Sequence, residues 1–383
     1  MTRPTHIILL RFSAMGDVAL LLPVVVALSR TYPEAYITVV TRPRLTVFFD
    51  GLPNVSTIGA DIDTEYKGIF GLWRLYRIIK NHTPYSIDKN KDSNKDNNKS
   101  KINVAYRKII IDLHDNLRTN ILRRFFQLAA VPTYVFDKGR AEKKQILNRT
   151  RSLAPPLAHT TERYAAACAE VGFKVQLPTG NLFDLLGVSR IKTSKSLTKN
   201  LTKSAALRGK INIGFAPFAK HDTKKLPFST VIAVVAAWLE EQPETVFYFF
   251  GAGAPETELM RSAQALFPIQ IIVVQDICDS LQPELALIAQ LDAMIAMDSL
   301  NLHLAALSNV PTVSVWGATH TAFGFGAYGA QPHRVAEVSA AELGCRPCAV
   351  FGDKPCHRGD TACMQRLDAE DIIVPLKVIL QNK

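Results

Sequence analysis

Residues 6–40 read HIILLRFSAMGDVALLLPVVVALSRTYPEAYITVV. His6 to Leu10 is an apolar run with β-branched side chains, which predicts a buried strand. A turn at Ser13-Ala14-Met15-Gly16 follows, then a mostly buried helix over Val18 to Arg30 and a second strand over Ile37 to Val40. Strand, glycine turn, helix, strand is how a doubly wound parallel sheet begins. Pro23 lies inside the helical stretch and predicts a kink there.

The alternation continues outward. Leu72 to Lys80 reads as a helix and Lys108 to Asp112 as a strand running into Leu113-His114-Asp115-Asn116 and a basic helix, Leu117 to Leu128. A second series starts at the strand Asn212 to Phe215, with helices over Ser229 to Glu240, Glu256 to Leu266, Pro283 to Gln290 and Leu302 to Leu307. Its other strands are Val246 to Phe250, Ile271 to Val274, Ala293 to Met297 and Thr312 to Trp316. In the last helix, Ala369 to Gln381, Ile372, Ile373, Leu376 and Ile379 share one face. The class is α/β, and the expected organisation is an N-terminal domain over 1–188, a Lys/Ser-rich linker over 189–210 and a C-terminal domain over 211–383. A length of 383 residues suits two domains of ordinary size.

Composition limits the functional classes. The chain is 48% hydrophobic, enough for globular cores. Its longest apolar stretch, Val18 to Leu28, contains Pro23 and is far short of the roughly 20 residues needed to cross a bilayer. The amino terminus carries no small-residue cleavage site, so we expect a cytoplasmic chain without a signal peptide. The net charge of +11 resides mainly in two tracts, 88–101 and 190–210, which together hold +9. The first falls in a low-complexity stretch rich in Lys, Asp and Asn, expected as a disordered insertion at about 86–103. The folded body is close to neutral, and general nucleic-acid binding loses its best argument.

Ligands of open α/β sheets gather beyond the carboxyl ends of strands, which directs attention to four loops. In Ser13-Ala14-Met15-Gly16-Asp17, Asp17 falls at the expected helix N-cap and reads either as a cap or as a general base. The loop from Ala216 to Pro227 holds Lys220, Lys224 and Lys225, which are either solvated or set against a diphosphate. Gly251-Ala252-Gly253, with Glu256 and Glu258, would let a nucleotide approach the backbone, or is a plain turn. At Met297-Asp298-Ser299 a buried strand passes directly into a helix bearing His303. Amides at such a helix start, with the Ser299 hydroxyl, could hold an anion, and Asp298 and Ser299 could equally be caps.

These residues resemble glycosyltransferase family nine, best known for the heptosyltransferases of lipopolysaccharide core synthesis. The similarity covers nearly the whole chain outside the Lys-rich tracts. It rests on ILLRFSAMGDVALLLPVVVAL (8–28), IDLHDNLRT (111–119), the KKLP loop (224–227) and MDSLNLHLAALSNVPTVSVWG (297–317). The resemblance implies a GT-B fold: two Rossmann-like doubly wound domains facing a cleft, with acceptor on the first and nucleotide-sugar donor on the second. It implies metal-independent, inverting transfer of a heptose or related sugar, with ADP-heptose as donor and a lipid-linked or oligosaccharide acceptor of the cell surface. No cofactor is implied. Peripheral contact with the cytoplasmic face of the inner membrane would suit lipid-linked acceptors and basic loops.

Carried over by motif, Asp17 is the catalytic base; Lys224, Gly251, Asp298, Ser299 and His303 bind donor; and Arg118, Lys143 and Lys144 bind acceptor. Two departures stand out. Leu300 occupies a position usually Gly or Ala, and Gly253 stands where some heptosyltransferases carry a carboxylate for the nucleoside.

Three further features complete the reading. The DxD-like Asp61-Ile62-Asp63 reads as an exposed loop rather than a metal site. Cys345, Cys348, Cys356 and Cys363 are spaced C-x2-C-x7-C-x6-C, and either hold a structural zinc or pack as a reduced loop. A Rossmann dehydrogenase is disfavoured by the missing GxGxxG. A nucleotide-sugar epimerase on the same fold, or a non-catalytic nucleotide- or glycan-binding protein, is the remaining rival.

Overall fold

The structure is a computed structural model that describes residues 4–83, 106–148, 155–185 and 210–381. The expected insertion at 86–103 and, apart from Lys210, the expected linker at 189–210 lie outside the described residues. The chain divides into two compact units, residues 1–138 with 163–178, and residues 139–162 with 179–383. Segment 139–162 lies inside the expected first domain and clusters with the second unit.

In the first unit the order is β1 (Thr5–Leu10), α1 (Met15–Ala19), α2 (Leu22–Thr31), β2 (Tyr36–Thr41), β3 (Val55–Gly59), α3 (Gly68–Asn81), β4 (Arg107–Asp112), α4 (Leu117–Leu128) and β5 (Thr133–Val135). The sheet is parallel with strand order β3-β2-β1-β4-β5. Ile8, Leu10, Val40, Ile58 and Ile110 face Leu72, Leu75 and Ile79 of α3 and Leu122 and Phe126 of α4 in one core. The single kinked helix expected over Val18 to Arg30 is instead two helices. Pro23 sits in the first turn of α2, where its missing N–H costs nothing, and the chain breaks just before it.

Three helices follow: α5 (Arg140–Asn148), α6 (Thr160–Ala169) and α7 (Leu182–Leu185). The second sheet then begins, with β6 (Ile211–Ala216), α8 (Phe228–Glu241), β7 (Thr245–Phe249), α9 (Ala254–Leu266), β8 (Ile271–Val273), α10 (Leu281–Ile288), β9 (Ala293–Met297), α11 (Leu300–Leu307), β10 (Thr312–Val315), β11 (His333–Ala336), α12 (Ala362–Gln365) and α13 (Glu370–Gln381). It too is parallel, in the order β11-β10-β9-β6-β7-β8. Its core sets Phe215, Phe247, Ile295 and Val313 against Val231, Val235 and Trp238 of α8 and Ile372, Leu376 and Ile379 of α13. That is the α13 face expected from the sequence.

Counted from the first strand of each unit, both sheets follow the Rossmann order outward from a central reversal, at β1/β4 in the first and β6/β9 in the second. Adjacent loops leave in opposite directions at such a reversal and open a crevice for ligand. The loops after β1, β4, β6 and β9 are therefore the places to look for chemistry.

Candidate functional site

The first switch point joins the loop after β1 to the loop after β4. Asp17 is the third residue of α1 rather than its N-cap. The cap is Ala14, whose N–H donates back to Asp17 Oδ2 at 3.1 Å. The same Oδ2 meets Arg11 Nη2 at 2.5 Å, and Arg11 Nη1 donates to the Leu113 carbonyl at 2.5 Å across the switch point. The guanidinium also lies 5.8 Å from the centre of the Tyr164 ring, and the Tyr164 hydroxyl donates to the Asp17 carbonyl at 3.4 Å. Burial alone would favour a neutral Arg11. The Asp17 carboxylate, Tyr164 and Asp112 together outweigh it and leave the guanidinium pKa above its ordinary value. Arg11 therefore fixes the carboxylate in one orientation, with Asp17 the more exposed partner at 18% against 8%.

His114, on the β4 side, is buried beside this pair. Its Nδ1 lies 3.4 Å from the Phe12 amide, its Nε2 3.3 Å from Ser13 Oγ, and the Asn116 amide group is adjacent. Burial, then the charges of Arg11 and Lys138, hold its pKa down at about 3, so the ring is neutral at pH 7. Asp112 anchors the loop by accepting the His114 and Asp115 amides at 2.9 Å each, and its Oδ2 meets Arg123 Nε at 3.0 Å. Arg11, His114 and Tyr164 were not singled out by sequence. The available signal was a lone Arg inside the buried run Ile7 to Phe12, because buried charges are found paired.

The buried imidazoles carry a stability prediction. Burial lowers the His6 pKa to about 3 and that of His333 to about 4, alongside His114 at about 3. Each binds a proton more weakly folded than unfolded, so below about pH 6.5 the unfolded chain takes up the protons and stability falls with pH. Going from pH 7 to pH 5 is expected to cost about 2 kcal/mol per such histidine. Thermal melts of wild type and His6→Gln check this, because the comparison isolates the imidazole from carboxyls such as Asp112 that burial pushes up. Parallel melting curves for the two proteins between pH 7 and 5 would refute it.

The acceptor candidates fall in both units. Arg118, in the first turn of α4, pairs with Asp63 at 3.1 Å, and Arg42 holds the same carboxylate at 2.6 Å. Asp61 Oδ1 accepts the Asp63 and Thr64 amides, so this DxD-like segment is a self-bonded turn with its second carboxylate bound by arginines. Lys143 and Lys144 are in α5, within the second unit, whereas Arg118 belongs to the first. Lys143 is buried with its ammonium 4.7 Å from the Phe325 ring centre and 5.6 Å from that of Phe351, whereas Lys144 is exposed.

At the second switch point β6 and β9 are neighbours, paired from Ile213↔Ala293 to Ala216↔Ala296. The Lys224 and Asp298 loops leave these two strands. Lys224 Nζ lies 2.9 Å from Asp298 Oδ2, and Thr319 Oγ1 donates to the same oxygen at 2.8 Å. Ser299 is the N-cap of α11, yet its side chain makes no capping bond, and its Oγ is buried without a hydrogen-bond partner among the described residues. Helix starts leave backbone donors open, so the Lys224 ammonium, the Ser299 hydroxyl and the amides of α11 are a candidate site for an anion. His303 lies one turn further along α11, buried. Gly251 closes β7 for a packing reason: a Cβ there would fall 2.9 Å from the Phe218 ring. Glu256 Oε2 accepts the Ala252 N–H at 2.7 Å, fastening the Gly251–Gly253 turn to the start of α9.

The cysteine-containing segment supports this site. Arg346, 3% exposed, donates to the carbonyls of Gly317, Val338 and Thr319 and to Glu337. The Cys348 and Ala349 amides donate to the Ala318 carbonyl, and Thr223 Oγ1 donates to the Gly352 carbonyl at 2.8 Å. Among the described residues, no group of three or more His, Cys, Asp or Glu side chains is arranged to hold a metal ion.

Two parallel α/β sheets in Rossmann order are the architecture of the GT-B fold. The glycosyl transferase family 9 protein of Veillonella parvula has this fold, with TM-score 0.64, 16% identity, and 100% of this chain and 99% of that one covered. The E. coli heptosyltransferase WaaC, solved with ADP, gives TM-score 0.59 at 16% identity over 90% and 97%. The sequence pattern of glycosyltransferase family 9 (heptosyltransferase) matches residues 102–355, and the chain belongs to that family. Lipooligosaccharide heptosyltransferase 2 of Campylobacter jejuni is 28% identical over 176 residues, 45% of this chain and 52% of that protein. The match thus spans about half the length of the curated relatives.

Proposed function

We propose that the chain is an inverting heptosyltransferase that moves heptose from ADP-heptose to a lipopolysaccharide core or similar cell-surface glycan. The observation that carries this reading is the Lys224–Asp298 pair beside the unbonded Ser299 hydroxyl at the start of α11. It suits a diphosphate, and the ADP bound by the E. coli relative favours adenine as the base. His303 and Gly251 complete the donor side, and Arg118, Lys143 and Lys144 are the acceptor-binding candidates.

Asp17 accepts the proton of an acceptor hydroxyl as its oxygen attacks the anomeric carbon. The bond from that carbon to the diphosphate oxygen breaks on the opposite face, giving inversion and nucleoside diphosphate. Lys224, the Ser299 hydroxyl and the α11 amides meet the charge that grows on the leaving oxygen, the contribution that usually dominates such catalysis. With that charge met by an ammonium and helix amides, the scheme requires no divalent metal. A lipid-linked acceptor would bring the protein to the cytoplasmic face of the inner membrane. No helix among the described residues is long and apolar enough to cross it.

Calorimetric titration with ADP, GDP, UDP and NAD, each with and without magnesium, tests the donor side. Metal-independent binding of ADP is expected, followed by transfer from ADP-heptose with inversion seen by NMR of the product. Preference for NAD, or silence towards all three diphosphates, would overturn the reading.

A further inference from the structure

Helix α3 buries one stripe, Leu72, Leu75 and Ile79, against the first sheet. Its opposite face is not the polar surface that an ordinary amphipathic helix offers to water. Phe70 is 83% exposed, Ile69 58%, Trp73 45% and Ile78 43%. At about 100° per residue, Ile69, Trp73, Arg77 and Phe70 occupy successive sectors of that outer face. Basic side chains alternate with the apolar ones: Lys67, Arg74, Arg77 and Lys80 all fall here, and residues 66–83 contain no Asp or Glu.

Among the described residues, none of these four cations pairs with a carboxylate. Arg74, Arg77 and Lys80 contact rings or a carbonyl instead. Arg77 lies 5.0 Å from the Trp73 ring centre, Lys80 5.6 Å from that of Tyr76, and Arg74 donates to the Glu65 carbonyl at 2.5 Å. An exposed Trp and Phe ringed by cations with no carboxylate partner among the described residues matches the headgroup region of an anionic bilayer. Aromatic rings settle at that boundary and the cations meet lipid phosphate. A second copy of the chain suits the face poorly, since a two-fold contact would set one cluster of cations against the other.

We propose that the outer face of α3 docks the protein on an anionic phospholipid surface, with Phe70 and Trp73 entering the interface and Arg74 and Arg77 holding phosphate. This deepens the peripheral membrane contact in the proposed function. It needs neither donor nor turnover, so vesicle binding and nucleotide binding fail independently.

The full chain supplies its own reporter, because Trp238 and Trp316 are buried and Trp73 is exposed. The probes are neutral phosphatidylcholine vesicles and vesicles containing about 30 mol% phosphatidylglycerol, a strongly anionic surface. The anionic vesicles alone are expected to shift Trp73 emission to the blue, with quenching by brominated lipid and weakening by salt. Arg74→Glu with Arg77→Glu should reduce vesicle affinity at least about tenfold. Ile69→Ser with Phe70→Ser should do so with every cation retained, while ADP affinity stays at the wild-type value in both. No shift with either vesicle, an equal shift with both, or a shift that follows protein concentration without lipid would overturn the proposal. The last result would assign the face to self-association.

Discussion

Asp17→Asn is expected to lower heptose transfer about 10³-fold, within the range that a positioned general base contributes, and to leave ADP affinity unchanged. The substitution preserves shape: an Asn carbonyl can still accept the Ala14 N–H that Asp17 Oδ2 accepts now. It removes the charge that Arg11 grips and the oxygen that would take the acceptor's proton. Because Arg11 is nearly fully buried, its guanidinium loses its counter-ion, and about 2 kcal/mol of stability should go with it. Initial rates of ADP release with acceptor, ADP calorimetry and thermal melts separate these effects. A variant that melts lower, binds ADP and still turns over within tenfold of wild type would remove Asp17 as the base and leave it a partner of Arg11.

Lys224→Met is expected to act on the other half of the reaction. Removing one preorganised donor to a developing negative charge costs about 10²–10³-fold in rate, and here the lost donor is a cation. ADP affinity should fall as well, because Lys224 would meet the ground-state diphosphate too. Asp298 is left 8% exposed, with the Thr319 hydroxyl still donating to it. A stranded carboxylate destabilises strongly, by about 3 kcal/mol. Lys224→Met with Asp298→Asn should therefore recover most of the melting temperature and none of the transfer rate. Recovery of both would mean that Lys224 serves only to neutralise Asp298.

The fold was legible where strands are buried on both faces. The strands β1, β7 and β9 are nearly continuous apolar runs, β6 and β10 alternate apolar residues with Asn, Gly, Thr or Ser, and the helices between them keep helical spacing. The strands β3, β5 and β11 went unrecognised because they lie at sheet margins, where few of their residues are fully buried. In β5 and β11 most residues are exposed or only partly buried, so no apolar pattern marks them. The site was legible in part for the same reason. Asp17, Lys224, Asp298 and Ser299 stand at the carboxyl ends of recognisable strands. Their partners were hidden by distance along the chain: Leu113 is 102 residues from Arg11, Tyr164 147 from Asp17, and Thr319 21 from Asp298. Lys143 and Lys144 look like a basic surface in sequence, yet Phe325 and Phe351, almost two hundred residues away, close over Lys143.

Gly317 sets a limit on what can be exchanged between family members. A Cβ at this position would sit 2.4 Å from the Thr223 carbonyl oxygen and 2.5 Å from Met364 Sδ. The loop that carries Lys224, the end of β10 and helix α12 are in contact at that one point. Arg346 and the backbone of Cys348 and Ala349 tie the cysteine-containing segment to the same strand end. A chimera that grafts a relative's cysteine segment onto this chain thus replaces one wall of the Lys224 loop without its matching strand end. Such grafts should tolerate a boundary before β10 far better than one between Gly317 and Met364, since only the former moves the strand end and α12 together.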